Sequence, residues 1–457
     1  MDDRFAGKLV HVIGLGSWGT GRAVARVLWN RGAEVTVSDV KSAAELASEI
    51  EGLSDTDVVI QTGDRAYSGI EEAELVVVSP GVPLDAPPLL RVRSRGIPTV
   101  SEIEVAFWIA PCPIIAVTGT KGKSTTTALI GDLLADAGMN TLVGGNIGRP
   151  LISLAERAGP DDMLVAEVSS FQLEATQRFR PQVAVLLNLF ADHLDRHASM
   201  EAYRAAKGRI FAAQQAEDFA VVNRDDPEAW EMRNLTPAKL MPYSLVEPQP
   251  QGADIAEGWL RVGGKRICPV EAVRLRGKHN LGNVLAALAA ARAAGAGLGR
   301  AEETLGRFEG LEHRLEVVGA VGGVMFVNDS QATTPQAAAA AVNAFPGRVI
   351  LIAGGRAKVH DFSVLAGALA QTRASLIVIG EAAEGIAAAA REAGVKEIAH
   401  ARDLSEAVRI GCQRARPGDV VLLSPACASF DMFEDMAERG RVFKQVVAEL
   451  KADKRSD

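Results

Sequence analysis

Val117-Thr-Gly119-Thr120-Lys121-Gly122-Lys123-Ser124-Thr125 stands between an apolar run at 114–118 and a helical stretch. Read as strand, loop and helix, it is a phosphate-binding loop. Backbone N–H groups of such a loop surround phosphate oxygens, Lys123 reaches the terminal phosphates, and a hydroxyl from Ser124 or Thr125 faces Mg²⁺. Val117 takes the place of the first glycine of the usual spacing. A chance Gly-Lys-Ser-Thr on a surface turn is the alternative, and the flanking strand and helix count against it. The loop calls for a nucleoside triphosphate.

Outward from this loop, short β-branched runs alternate with Ala-rich helical stretches. Strands are expected at 8–13, 34–38, 75–78, 114–118, 163–168, 183–187, 349–353, 376–379 and 420–424. Many are continuous apolar runs, as strands buried on both faces of a parallel sheet are. Strand–helix alternation implies right-handed crossovers in doubly wound sheets. The pattern restarts after Ala110-Pro-Cys-Pro and again near Leu311. Three α/β domains in series are expected, and a length of 457 residues agrees with more than one core.

A second glycine loop, Gly14-Leu-Gly16-Ser17-Trp18-Gly19, follows the first strand and opens a helix at 22–31. Its glycines permit a tight turn and close approach to a phosphate at a helix N-terminus. Asp39 ends the next strand, where a carboxylate meets a ribose or a base. Alone, this loop also suits a nicotinamide dehydrogenase or a ligand-free turn. A dehydrogenase has no use for the loop at Gly119.

Three groups follow the phosphate loop. Glu167 ends a buried strand, where a carboxylate can bind Mg²⁺. Ala191-Asp-His193-Leu-Asp-Arg-His197 follows the strand at 183–189, at the edge where ligands of open α/β sheets lie. His193 can ligate a metal, orient an intermediate or move a proton; a solvated helix start is the other reading. Lys207, in Tyr203-Arg-Ala-Ala-Lys207, reads by itself as a surface lysine.

Composition narrows the partners. Hydrophobic residues make up 48%, charged residues 23%, and the formal net charge is −8. No basic stripe suggests nucleic acid. No stretch approaches the roughly 20 apolar residues that span a bilayer. Cys112, Cys268, Cys412 and Cys427 lack metal-ligand spacing and read as buried thiols in a reducing cytosol. A cytoplasmic enzyme without a membrane partner is expected.

The ordered blocks then resemble the Mur ligase superfamily. They are Gly119–Thr125, Glu167-Val-Ser-Ser-Phe-Gln-Leu173, Asp192-His-Leu-Asp-Arg-His197, Lys278-His-Asn-Leu-Gly-Asn283, Asn328-Asp-Ser330 and Ser424-Pro-Ala-Cys-Ala-Ser429. The Ser-Ser-Phe-Gln-Leu and Ser-Pro-Ala-Cys-Ala-Ser blocks resemble the branch that adds D-glutamate. The resemblance implies an ATP-dependent ligase joining D-glutamate to UDP-N-acetylmuramoyl-L-alanine through an acyl phosphate, acting as a monomer. It implies a UDP-substrate domain at 1–110, a central ATP domain at 111–310 and an amino-acid domain at 311–457.

The resemblance also implies roles for single residues. Gly119, Thr120, Lys121, Gly122, Lys123, Ser124 and Thr125 would hold ATP, with Asn280 and Asn283 on the adenine side and Arg314 and Asp329 from the third domain. Ordinary helix capping is the alternative reading of the two asparagines. Ser124 and Glu167 would serve one Mg²⁺; His193 and a carbamylated Lys207 would serve a second. Lys123, His193 and Lys207 would be catalytic. Ser17, Trp18, Asp39, Lys41, Ser79 and Asn146 would bind the uridine nucleotide, and Thr333, Lys358 and Ser429 the D-glutamate carboxylates.

The chain departs from the superfamily pattern at Gln331, where lysine is common, and at Thr334, where asparagine is common. Arg356 is a candidate to replace the missing cation. Val40 makes the uracil side less polar. A folylpolyglutamate-type ligase shares the ATP core but has no need of the first glycine loop. A non-catalytic nucleotide sensor has no need of Lys123, Glu167, His193 and Lys207 together.

Overall fold

The computed structural model describes residues 3–15, 19–192, 194–275, 277–357 and 361–456. Three sheets succeed one another along the chain. The first holds β1 (Leu9–Ile13), β2 (Glu34–Asp39), β3 (Val59–Thr62), β4 (Leu75–Val78) and β5 (Thr99–Ser101) in the order β3-β2-β1-β4-β5. All its pairings are parallel. The order reverses direction between β1 and β4, so the C-terminal ends of β1, β2 and β4 frame a crevice where ligands of doubly wound sheets lie.

The second sheet begins with β6 (Ile114–Thr118), β7 (Thr141–Gly145), β8 (Met163–Glu167), β9 (Val183–Leu186), β10 (Phe219–Asn223) and β11 (Lys239–Ser244). It is completed by β12 (Ala253–Ala256), β13 (Trp259–Val262) and β14 (Lys265–Pro269). Its order is β14-β13-β12-β11-β10-β9-β6-β8-β7. β6 and β8 are buried along their whole length, which explains their unbroken apolar runs. The antiparallel β12–β13–β14 edge was not anticipated, because its alternating residues do not make such runs.

The third sheet holds β15 (Glu316–Val321), β16 (Val324–Asn328), β17 (Val349–Gly354), β18 (Ser375–Ile379), β19 (Ile398–His400) and β20 (Val420–Leu423). Its order is β15-β16-β20-β17-β18-β19, parallel except for the β15–β16 pair. The chain forms two compact units, one ending at Phe308 and one beginning at Glu309. All four cysteines are free, three of them buried.

The first and second sheets share one unit because the helix Glu102–Ile109 welds them. Ile103, Val105, Ala106 and Ile109 enter the same core as Leu151, Ile152 and Phe179. Glu104, fully buried, accepts from the backbone amides of Gln177, Arg178 and Phe179 at 2.8, 2.8 and 2.9 Å. It also accepts from Trp108 Nε1 at 2.9 Å. Four donors satisfy a carboxylate that would otherwise be very costly to bury.

Glu102 is a weaker anchor. One oxygen accepts from Ile152 N at 2.6 Å; the other is buried without a partner. Burial pushes this carboxyl up to about 7, against the pull of the Ile152 and Leu151 amides and Gln172. Its stabilising contribution is therefore complete below the unfolded value of 4.5 and is lost as pH rises through about 7. Glu102→Gln keeps an acceptor and removes the titration. Comparison of urea midpoints should show the variant gaining about 3 kcal/mol on the parent between acid and mildly alkaline pH. Parallel curves would contradict this reading.

Candidate active site

β6 feeds the chain into the phosphate loop, and the helix Lys123–Asp136 carries it away. Gly119 has φ +153° and Gly122 φ +86°. A Cβ on Gly122 would lie 2.3 Å from Asn283 Oδ1, and one on Gly119 2.9 Å from Leu187 Cβ. Both positions need glycine for conformation and for space. The helix start supplies free N–H groups and positive potential for an anion. Lys123 Nζ lies over the loop, donating to the carbonyls of Gly119 and Thr120 at 3.1 Å each.

A residue that sequence reading passed over fixes the loop's shape. Asn188, just beyond β9, accepts at Oδ1 from Thr120 N at 3.0 Å and Lys121 N at 2.8 Å. Its Nδ2 donates to Lys121 O at 3.0 Å. Asparagine after a parallel strand was the only signal, and nothing local shows what it reaches. Asn188→Ala leaves the Lys121 amide without its acceptor, while the Thr120 amide keeps only the Asn188 backbone carbonyl, at 3.0 Å. It should raise the KM for ATP about tenfold and leave that for the uridine nucleotide unchanged. An unaltered ATP KM would contradict the assignment.

Buried groups collect beside the loop. Glu167 Oε1 accepts from Asn146 Nδ2 at 2.7 Å, while its Oε2 is buried and unpartnered. A buried carboxylate oxygen with free lone pairs suits a hard cation such as Mg²⁺, so the donors present fit that ion. Ser124 is buried at the start of the loop helix. Lys207 is 1% exposed, far from the surface lysine its local sequence suggested. Its Nζ donates to Gly119 O at 2.9 Å and Thr118 Oγ1 at 3.3 Å. Burial first, then the charge of Lys123, pulls its amine down to about 7, opposed by Asp192 and Glu167.

The loop and its neighbours are cross-tied. Tyr203 Oη is 3.2 Å from Thr120 Oγ1, and the Tyr203 ring lies 4.8 Å from Lys207 Nζ. His197, packed between Phe171 and Tyr203, bonds Ser170 Oγ at 2.9 Å, and its Nδ1 lies 3.1 Å from a Glu174 carboxylate oxygen. Lys121, exposed, pairs with Asp192 at 3.4 Å. Asn283 Nδ2 donates to Asn280 Oδ1 at 3.1 Å. Neither asparagine caps its helix, whose N-cap is Gly277. His193 lies outside the described residues.

In the first sheet, Asp39 accepts from Leu15 N and Lys41 N, both at 3.0 Å. Ser79 Oγ donates to Gly14 O at 2.6 Å. Asp39, Lys41 and Ser79 therefore gather at the crevice, with Val40 exposed beside them. Ser17 and Trp18 lie outside the described residues. Asn146 is not in this group; it sits against Glu167.

In the third sheet, two loops at strand ends come together. Asp329 accepts from Leu315 N at 3.1 Å and Ser424 Oγ at 2.8 Å. Burial lifts its carboxyl to about 6, against those two bonds and Arg314. Ala426 N donates to Ala332 O at 2.9 Å, tying the loop of Ser429 to that of Thr333. Ser429 is buried; Lys358 lies outside the described residues. Thr334 caps the helix Pro335–Asn343, a task asparagine performs as well, so this departure is conservative. Arg356, the candidate to replace a cation at Gln331, pairs with Glu381 at 2.9 Å on the surface.

A strand-borne phosphate loop, with a buried lysine and a half-satisfied carboxylate beside it, defines a nucleoside-triphosphate-using α/β enzyme. Family models match three successive stretches: the Mur ligase MurD-like N-terminal domain at 8–101, the Mur ligase middle domain at 117–291 and the Mur ligase glutamate ligase domain at 313–427. The UDP-N-acetylmuramoylalanine–D-glutamate ligase of Pelotomaculum thermopropionicum is 46% identical, covering 98% of this chain and 99% of that protein. The protein of the same name in Koribacter versatilis is 43% identical, over 97% of this chain and 98% of its own length. The solved UDP-N-acetylmuramate–alanine ligase of Thermotoga maritima shares the fold. Its TM-score is 0.56 at 20% identity, with 97% of this chain and 99% of that one covered. The chain belongs to the Mur ligase family.

Proposed function

We propose that this chain uses ATP to join the amine of D-glutamate to the L-alanyl carboxylate of UDP-N-acetylmuramoyl-L-alanine, in peptidoglycan precursor synthesis. The observation that carries this reading is full-length identity of 46% to a relative bearing that activity's name. The three domains divide at 110/111 and 310/311 and share the work. The first holds the uridine nucleotide with Ser17, Trp18, Asp39, Lys41 and Ser79, with Asn146 on the side of the second. The second holds ATP with residues 119–125, Asn280 and Asn283. The third holds ATP through Arg314 and Asp329 and the D-glutamate carboxylates through Thr333, Lys358 and Ser429.

A carboxylate oxygen is a poor leaving group, so the alanyl carboxylate first takes the γ-phosphoryl group of ATP. The D-glutamate amine attacks the acyl phosphate, the tetrahedral oxyanion collapses, and the C–O bond to phosphate breaks. Lys123 binds the phosphoryl oxygens where negative charge develops. Ser124, Glu167, His193 and a carbamylated Lys207 would hold Mg²⁺. When bound, that ion supplies Lewis-acid stabilisation of phosphoryl oxygens. No described helix is long and apolar enough to cross a membrane. The enzyme acts in the cytoplasm as a monomer. Mass spectrometry of a reaction with all three substrates should show one glutamyl residue added to the nucleotide; an unchanged nucleotide would sink the proposal.

A further inference from the structure

We propose that Arg439 is the positioning residue that holds the ATP-side loop and the amino-acid-side loop of the third domain in one register, by donating to both from a buried guanidinium. This rests on the roles given above to Asp329, Thr333 and Ser429.

Arg439 lies in the C-terminal helix Met436–Ser456, is 1% exposed, and is the largest fully buried side chain described. Its Nε donates to Ser330 Oγ at 3.0 Å and one terminal nitrogen to Ser330 O at 2.9 Å. The other terminal nitrogen donates to Cys427 O at 3.1 Å. Ser330 directly follows Asp329, and Cys427 is two residues before Ser429. One planar fork thus spans both loops, a geometry lysine cannot reproduce.

Three features argue that the brace serves function. No ion pair joins Arg439 to a carboxylate among the described residues; its hydrogen bonds go to neutral acceptors, and the Asp431 carboxylate acts on the buried charge without bonding it. Such burial costs several kcal/mol, and apolar packing would be the more stable choice. Second, the braced loop is strained: Ala426 has φ +61°, in the left-handed region that L-residues rarely adopt. Third, a cation behind the Cys427–Ser429 loop, with no carboxylate bonded to it, favours an anion in front of it, and D-glutamate carries two carboxylates. Burial lowers this guanidinium to about 10, which leaves it charged at neutral pH.

The test is steady-state kinetics of the full-length enzyme with each substrate varied, alongside melting temperature. Arg439→Met should raise the KM for both D-glutamate and ATP at least about tenfold and leave that for the uridine nucleotide within about twofold. Arg439→Lys should recover part of the D-glutamate loss, because charge remains, but little of the ATP loss. Ser330→Ala, a milder change in case Arg439→Met does not fold, should show the same split at about threefold. A lowered melting temperature with all three KM values unchanged would make Arg439 a structural brace only and overturn the proposal. So would a rise confined to one substrate, or an equal rise for the uridine nucleotide. Failure of the underlying reading shows separately: Thr333→Ala and Ser429→Ala would then leave the D-glutamate KM unaltered whatever Arg439 does.

Discussion

Lys123→Ala is expected to cut ligation by at least about a thousandfold, roughly 4 kcal/mol of transition-state stabilisation. Lys123 is the first residue of the loop helix, and its ammonium already lies across the loop, 3.1 Å from two carbonyls. A phosphoryl group seated on the loop amides would exchange those carbonyls for charged oxygens, a stronger partner for the same ammonium. The variant should still bind the uridine nucleotide, whose handle belongs to the first domain. Calorimetric titration with that nucleotide separates loss of chemistry from loss of fold. Lys123→Arg should not restore turnover, since a planar fork cannot substitute for a compact point charge in this loop. Near-normal turnover of the alanine variant would defeat the phosphate-loop assignment. The change also reaches Lys207, whose amine Lys123 helps hold down.

Lys207→Ala is expected to be nearly inactive, down by at least about a thousandfold, and partly rescued by a short-chain carboxylic acid. An ammonium is the wrong charge for a magnesium ligand. A neutral amine adds to CO₂ to give a carbamate and release a proton, turning the side chain into an anion with hard oxygen donors. That reaction needs the amine free of its proton. Burial and the Lys123 charge bring Lys207 to about 7, so a large share is neutral at physiological pH. Enzyme equilibrated with labelled bicarbonate and Mg²⁺ should carry one labelled carbonyl carbon, absent from the variant. A free amine under those conditions would remove the carbamate, and full activity of Lys207→Ala would remove the residue from the site.

The parts legible in the sequence were those carried by local pattern. The strands of the parallel sheets announce themselves as apolar runs, and the loop at Gly119–Thr125 carries its own punctuation. Lys207 was legible only through the family blocks, because the groups that receive its amine, Thr118 and Gly119, lie 89 and 88 positions away along the chain. Asn188 and Glu104 were not legible at all. Their importance lies in amides 67 to 75 positions away along the chain. Arg439 reads as one more charge on an amphipathic helix until its contacts to Ser330 and Cys427 are seen. Thr334 looked like a departure, yet its side-chain oxygen accepts from the Ala337 amide, as an asparagine oxygen does at a helix start.

The activity itself is open to one assay: phosphate release from ATP, measured with each wall amino acid as acceptor, with and without UDP-N-acetylmuramoyl-L-alanine. Release that requires both the uridine nucleotide and D-glutamate, and falls to background with L-glutamate, L-alanine or a diamino acid, is the predicted result. Release that proceeds without the uridine nucleotide, or prefers another amino acid, would contradict it.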